Sequence, residues 1–292
     1  MSFKIITDTA SNITKKVASH YDISVIPLTF IIDGEEKQLV DTDDFDYEAY
    51  YEGLAAGVKV STSQVSPQQY LEVFEPMVQA GEDILFVGIS SGVSGTVNSA
   101  RFAAKELMEE YPDRNIRVVD SLGASLGEGL LVVEATECRE KGMSVDETAD
   151  YLDVEKYKMA QIFVVDDLKH LKRTGRLSGT LASIGTMLDI KPILKGDTEG
   201  KIVVNVKARG RKQAIKALAS KYRDLVANAQ DQIVGISYGG HRDDAVYLAN
   251  LITKIAEPKN VWLVPHEPAT GAHVGPGMIA LYFKGKDDVR AF

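Results

Sequence analysis

Cysteine is nearly missing from this chain: Cys138 is the only one in 292 residues. That excludes an internal disulfide framework and suits a reducing compartment, so a cytoplasmic location is expected. Long apolar runs are missing too. No stretch approaches the roughly 20 consecutive apolar residues of a membrane-spanning helix. The most apolar one, 23–32, is interrupted by Pro27 and Thr29. The opening MSFKIITDTA carries one basic residue and no apolar core, and does not read as a signal peptide. Basic residues fall short of acidic ones, 33 Lys and Arg against 42 Asp and Glu, for a formal net charge of −9. Nucleic acid needs a basic face and is therefore not an expected partner. The histidines His20, His170, His241, His266 and His273 form no HxH or HExxH pattern. Neither a metal nor a cofactor is expected.

What is present is the composition of a packed globular protein, 45% apolar and 26% charged. The chain is too long for one ordinary core and about right for two. Short apolar runs alternate with helical patterns, which predicts an α/β fold. Strands are expected at 4–7, 24–32, 84–89 and 116–119, then at 161–165, 192–195, 202–206, 232–237, 261–264 and 278–283. The first domain, 1–159, should hold a mainly parallel sheet flanked by helices. The second, 160–292, should hold a mixed sheet and helices, because 191–195 and 201–207 read as a hairpin across Gly196-Asp197-Thr198-Glu199-Gly200. Ser66-Pro67-Gln68-Gln69 and Ser144-Val145-Asp146-Glu147 are helix-capping sequences. A basic amphipathic helix is predicted over 209–228, with Ala214, Leu218, Tyr222 and Leu225 inward.

The stretch Val87-Gly88-Ile89-Ser90-Ser91-Gly92-Val93-Ser94-Gly95-Thr96 follows a strand and opens a helix. Hydroxyls and backbone N–H groups at a helix N-terminus can hold an anion, although an ordinary Ser-capped turn has the same composition. A second hydroxyl cluster, Ser61-Thr62-Ser63-Gln64, is expected in the loop before the Ser66 cap. Gly88-Ile89-Ser90-Ser91-Gly92 also matches the G-x-S-x-G elbow of serine hydrolases. Ser90 would be its nucleophile, with Asp166 or Asp167 and then His241, His266 or His273 as partners. Against it, Gly92 to Gly95 intervene before the helix. The run Lys169-His170-Leu171-Lys172-Arg173-Thr174-Gly175-Arg176 is basic in an acidic protein. It fits either a solvated helix end or a docking patch for an acidic partner. Asp8 could accept a phosphoryl group or bind a metal, and capping the helix that follows is the simpler role.

Together these residues resemble the DegV family of bacterial lipid-binding proteins, nearly end to end. The resemblance is carried by Thr7-Asp8-Thr9-Ala10, Thr62-Ser63-Gln64-Val65-Ser66-Pro67, Ser91-Gly92-Val93-Ser94-Gly95-Thr96 and Asp120-Ser121. It continues through Val165-Asp166-Asp167-Leu168, Arg173-Thr174-Gly175-Arg176, Lys191-Pro192-Ile193-Leu194 and His273-Val274-Gly275-Pro276-Gly277. Val65 stands where the family often has proline, and Thr174 where it often has glycine.

The resemblance implies a lipid-binding protein without catalysis of its own, holding one long-chain fatty acid in a tunnel between its domains. Thr62 and Ser94 would hold the carboxylate, with His273 nearby. A separate fatty acid kinase would be the partner, making an acyl phosphate for phospholipid metabolism, and Arg173 and Arg176 are where it would dock. For the alkyl tail, Gly123, Ala124, Ser125, Gly127 and Gly129 offer close backbone approach, and Ile184, Met187 and Leu188 an apolar wall. Plain helix packing accounts for the same residues.

Overall fold

Consecutive rather than alternating burial marks a strand covered on both faces. β1 (Phe3–Asp8) and β6 (Asp83–Gly88) have this pattern and form the middle of a four-stranded sheet. β2 (Ile23–Ile26) and β7 (Ile116–Asp120) flank them in the order β2-β1-β6-β7, every pair parallel. Parallel pairing puts the C-terminal ends of all four strands along one edge. Helices α1 (Lys15–Tyr21), α3 (Pro67–Gln79), α4 (Thr96–Glu110), α5 (Leu126–Glu140) and α6 (Val145–Glu155) belong with this sheet. Tyr70 and Phe74 of α3 pack against Phe86 of β6, with ring centroids 5.1 and 6.0 Å away. Both predicted capping boxes form, at Ser66 and at Ser144.

This computed structural model describes residues 3–39, 42, 44–166, 168–178 and 189–291. The chain divides into two units, Met1–Phe45 with Ser61–Lys156, and Asp46–Val60 with Tyr157–Phe292. The segment Asp46–Val60 thus leaves the first domain, where the sequence reading put it. Its helix α2 (Tyr47–Ala56) carries two buried tyrosines whose hydroxyls donate within the second unit, Tyr50 to Pro268 O (2.7 Å) and Tyr51 to His266 O (3.0 Å). Adjacent helix positions that both face inward break the amphipathic period, so pattern alone does not assign them.

The expected strand over 24–32 splits in two, because Pro27 has no N–H and Leu28 N donates to Thr9 Oγ1 (2.9 Å) instead of to a strand. The second half, β3 (Thr29–Ile32), joins β4 (Glu35–Gln38) and β5 (Val60–Ser63) in a small sheet ordered β4-β3-β5. Neither β4 nor β5 was expected. β4 is fully exposed and has no apolar residue to announce it.

The second unit is built on a mixed sheet, β10-β9-β8-β13-β11-β12. Its strands are β8 (Met159–Val164), β9 (Ile190–Gly196), β10 (Ile202–Arg209), β11 (Ile233–Tyr238), β12 (Asn260–Pro265) and β13 (Ile279–Lys284). β11 and β12 are parallel and the other neighbours antiparallel, including the predicted β9–β10 hairpin. Helices α8 (Arg211–Leu225) and α9 (Arg242–Ile255) cover it, burying Ala214, Leu218 and Tyr222 as the period required. Short helices α7 (Lys169–Arg173) and α10 (Pro268–Val274) complete the unit.

Candidate functional site

The loop after β6 sits among the C-terminal ends of parallel strands, where open α/β sheets bind ligands. It is tied to its neighbours by backbone bonds: Ser90 N donates to Gly123 O (2.8 Å), and Ser121 N to Gly88 O (3.1 Å). Within it, Gly92 N donates to Ser90 Oγ (3.0 Å), while Val93 N and Ser94 N both donate to Ser90 O (3.2 and 3.1 Å). Ser91 N donates to Asp120 Oδ1 (3.2 Å). The amides of 91–94 are thus satisfied by the protein itself. An anion at this turn would therefore meet mainly hydroxyls, not the free N–H groups that were expected.

Ser94 is half-buried, and its hydroxyl donates to Thr96 Oγ1 (2.9 Å) while accepting from Thr96 N (3.3 Å). Its proton can swing to a ligand and leave the Thr96 N–H in place, polarising the oxygen. Thr62 lies on β5 rather than in the polar loop the sequence suggested. The two hydroxyl segments meet through Gln64. A methyl group on Gly95 would collide with Gln64 Oε1, so glycine is what lets the amide lie against the turn.

Ser90 does not have the geometry of a nucleophile elbow. It is buried, has no positive φ, accepts from Gly92 N, and the helix opens only at Thr96. His266, one proposed triad partner, already bonds Ser237 Oγ (2.9 Å) through Nδ1 and Thr270 Oγ1 (3.1 Å) through Nε2, and burial pushes its pKa down to about 3. Asp167 lies outside the described residues, as do Ile184, Met187 and Leu188. Gly129 has another use: α5 crosses Ser11 so closely that a methyl there would strike the Ser11 carbonyl oxygen. Among the described residues, no three His, Cys, Asp or Glu are placed to hold a metal ion.

The second unit brings together three other predicted residues. His273 is half-buried on α10, and its pKa is lowered to about 4, first by burial and then by the Arg176 and Arg173 cations. The imidazole is therefore neutral at pH 7, a hydrogen-bonding group rather than a charge. Gly275 explains the approach of α10 to α7: its φ is +82°, and a methyl there would stand 2.5 Å from the His170 ring. The glycine-rich setting of His273 is thus a packing requirement. Arg173 is exposed and Arg176 half-buried.

Asp8 caps the turn Thr9–Ser11, accepting from Ala10 N (2.9 Å) and, with its other oxygen, from Ile89 N (3.2 Å) at the end of β6. It is fully buried, and desolvation raises its pKa to about 7 although both bonds oppose the shift. The unfolded carboxyl ionises near 3.8. As pH rises from about 4 to about 7, the unfolded chain releases this proton and the folded chain keeps it, so stability contributed here falls, then levels off. Urea unfolding of wild type and Asp8→Asn at pH 5 and pH 8 isolates the effect. The stability difference between the two proteins should shift toward the variant at pH 8; an identical difference at both pH values contradicts this assignment.

No helix among the described residues is long and apolar enough to cross a membrane. A family model described as "Uncharacterised protein, DegV family" matches residues 2–286. A DegV domain-containing protein of Clostridium perfringens is 37% identical over 287 residues, covering 97% of this chain and 97% of its own. Among solved structures, a DegV family protein from Thermus thermophilus, described as binding fatty acid, has a TM-score of 0.88 at 28% identity, covering 98% of this chain and all of its own. A fatty acid binding DegV family protein from Streptococcus agalactiae has a TM-score of 0.85 at 31% identity over 98% of this chain and 100% of its own. With its motifs in order along one parallel and one mixed sheet, this chain belongs to the DegV family.

Proposed function

We propose that this protein binds one long-chain fatty acid by its carboxylate and presents it to a separate kinase for acyl phosphate formation, without catalysis of its own. The observation that carries the binding half is the meeting of the two hydroxyl segments through Gln64 and Gly95, in the turn that follows the parallel strand β6. The fatty acids held by the Thermus and Streptococcus relatives support the ligand class. Thr62 and Ser94 donate to the carboxylate. His273 keeps the role that the family resemblance gives it, as a neutral N–H donor. The single, buried cysteine suits a cytoplasmic setting.

Hydrogen bonds to a charged group contribute about 1.5–3 kcal/mol each, and a buried methylene about 0.8 kcal/mol. A long tail therefore dominates affinity, and the hydroxyls orient the head. Thr62→Ala and Ser94→Ala should each weaken fatty-acid binding by about tenfold or more, with thermal unfolding little changed. Calorimetric titration with oleate checks this. Wild-type affinity in both variants would move the head-group site elsewhere.

The kinase half rests on Arg173 and Arg176, cations beside His273 in an otherwise acidic protein. Replacing both with alanine should leave oleate binding nearly intact and reduce acyl phosphate formation by the cognate kinase, and added salt should reproduce part of that loss by screening. Full turnover at limiting protein would make the segment a solvated helix end. Loss of the lipid as well would place the arginines in the pocket.

A further inference from the structure

We infer that Asp120 is a positioning residue for the Ser94 hydroxyl, an inference that rests on the head-group reading above. Asp120 ends β7 and its side chain is 7% exposed. One carboxylate oxygen, Oδ1, accepts from Ser91 N (3.2 Å) and from Leu122 N (3.0 Å). The other, Oδ2, lies 3.9 Å from Arg101 Nη2 on α4. Three pieces of chain therefore converge on this carboxylate: the hydroxyl turn, the exit of β7, and the helix whose first residue, Thr96, holds the Ser94 hydroxyl.

Two features make this more than a strand-end cap. Leu122 has φ of +52°, a left-handed conformation that a residue with a β-carbon rarely adopts unless it is held there. Its bond to Asp120 holds it. Second, the amides after Ser91 are closed onto Ser90. The turn is thus one rigid piece, and Ser91 N is where a side chain from the neighbouring strand fixes its orientation. Asp8, besides capping its own turn, meets this loop at Ile89 N, below the hydroxyls. Asp120 Oδ1 bonds the hydroxyl turn itself, at Ser91 N.

The geometry separates the acceptor from the charge. Asp120→Asn keeps a carbonyl oxygen for both amides, whereas Asp120→Ala removes it. On the full chain, with oleate as the probe, Asp120→Ala should weaken binding by about tenfold and Asp120→Asn by no more than about threefold. If Asp120 acts through Ser94, Asp120→Ala should cost no more than about threefold further in a Ser94→Ala background. Amide exchange at Ser91 and Leu122 should quicken in Asp120→Ala and not in Asp120→Asn. A merely structural role would lower stability and add its full cost in the Ser94→Ala background, which overturns the proposal. So does unchanged affinity in Asp120→Ala while Ser94→Ala binds weakly. If Ser94→Ala itself binds oleate like wild type, the head-group reading fails first and this inference fails with it. Should Asp120→Ala not fold, Asp120→Ser, too short to reach both amides, takes its place with the same expectations.

Discussion

The turn after β6 spends its own amides on itself, and the account of this protein depends on that closure. Ser91–Ser94 carry four N–H groups at the mouth of a parallel sheet, the arrangement that elsewhere binds phosphate through backbone donors. Here one amide goes to Asp120 and three return to Ser90. At the proposed site a ligand would meet side-chain hydroxyls, which rotate and hold a single proton each. Such a site suits a small, planar, singly charged head better than a polyanion that needs many fixed donors.

Buried carboxylates hold this arrangement from two sides, and they differ in chemistry. Asp8, with no water contact and a pKa near 7, acts from beneath as an acceptor close to neutrality. Asp120 faces Arg101, which balances its charge. In the second unit the supporting device is glycine. Gly275 lets α10 lie on the His170 ring of α7, and Gly277, at φ +76°, makes room for the Asp166 carboxylate. The consequence is electrostatic: Arg173 and Arg176 come near enough to His273 to help keep its ring neutral.

Much of this was legible in the sequence. The central strands announced themselves by unbroken apolar runs, and the helices of Ser66 and Ser144 by capping boxes, because those signals are local. Thr62, Ser94 and His273 were singled out by motif and by family resemblance, not by periodicity. What pattern could not reach depends on contacts distant in the chain. Asp46–Val60 joins the second unit through two tyrosine hydroxyls more than two hundred residues from their acceptors. Ser91 lies 29 residues from Asp120, whose carboxylate takes up one of the turn's four amides. The short strand β5, which carries Thr62, alternates too briefly to separate from a loop.

A fatty acid is the molecule these hydroxyls are proposed to hold. Native mass spectrometry of the full chain purified from a bacterial host tests it most directly, before any ligand is added. The account predicts a species heavier than the polypeptide by the mass of one long-chain fatty acid, released as a free acid on denaturation. A polypeptide that emerges bare, and stays bare after incubation with oleate, would contradict it.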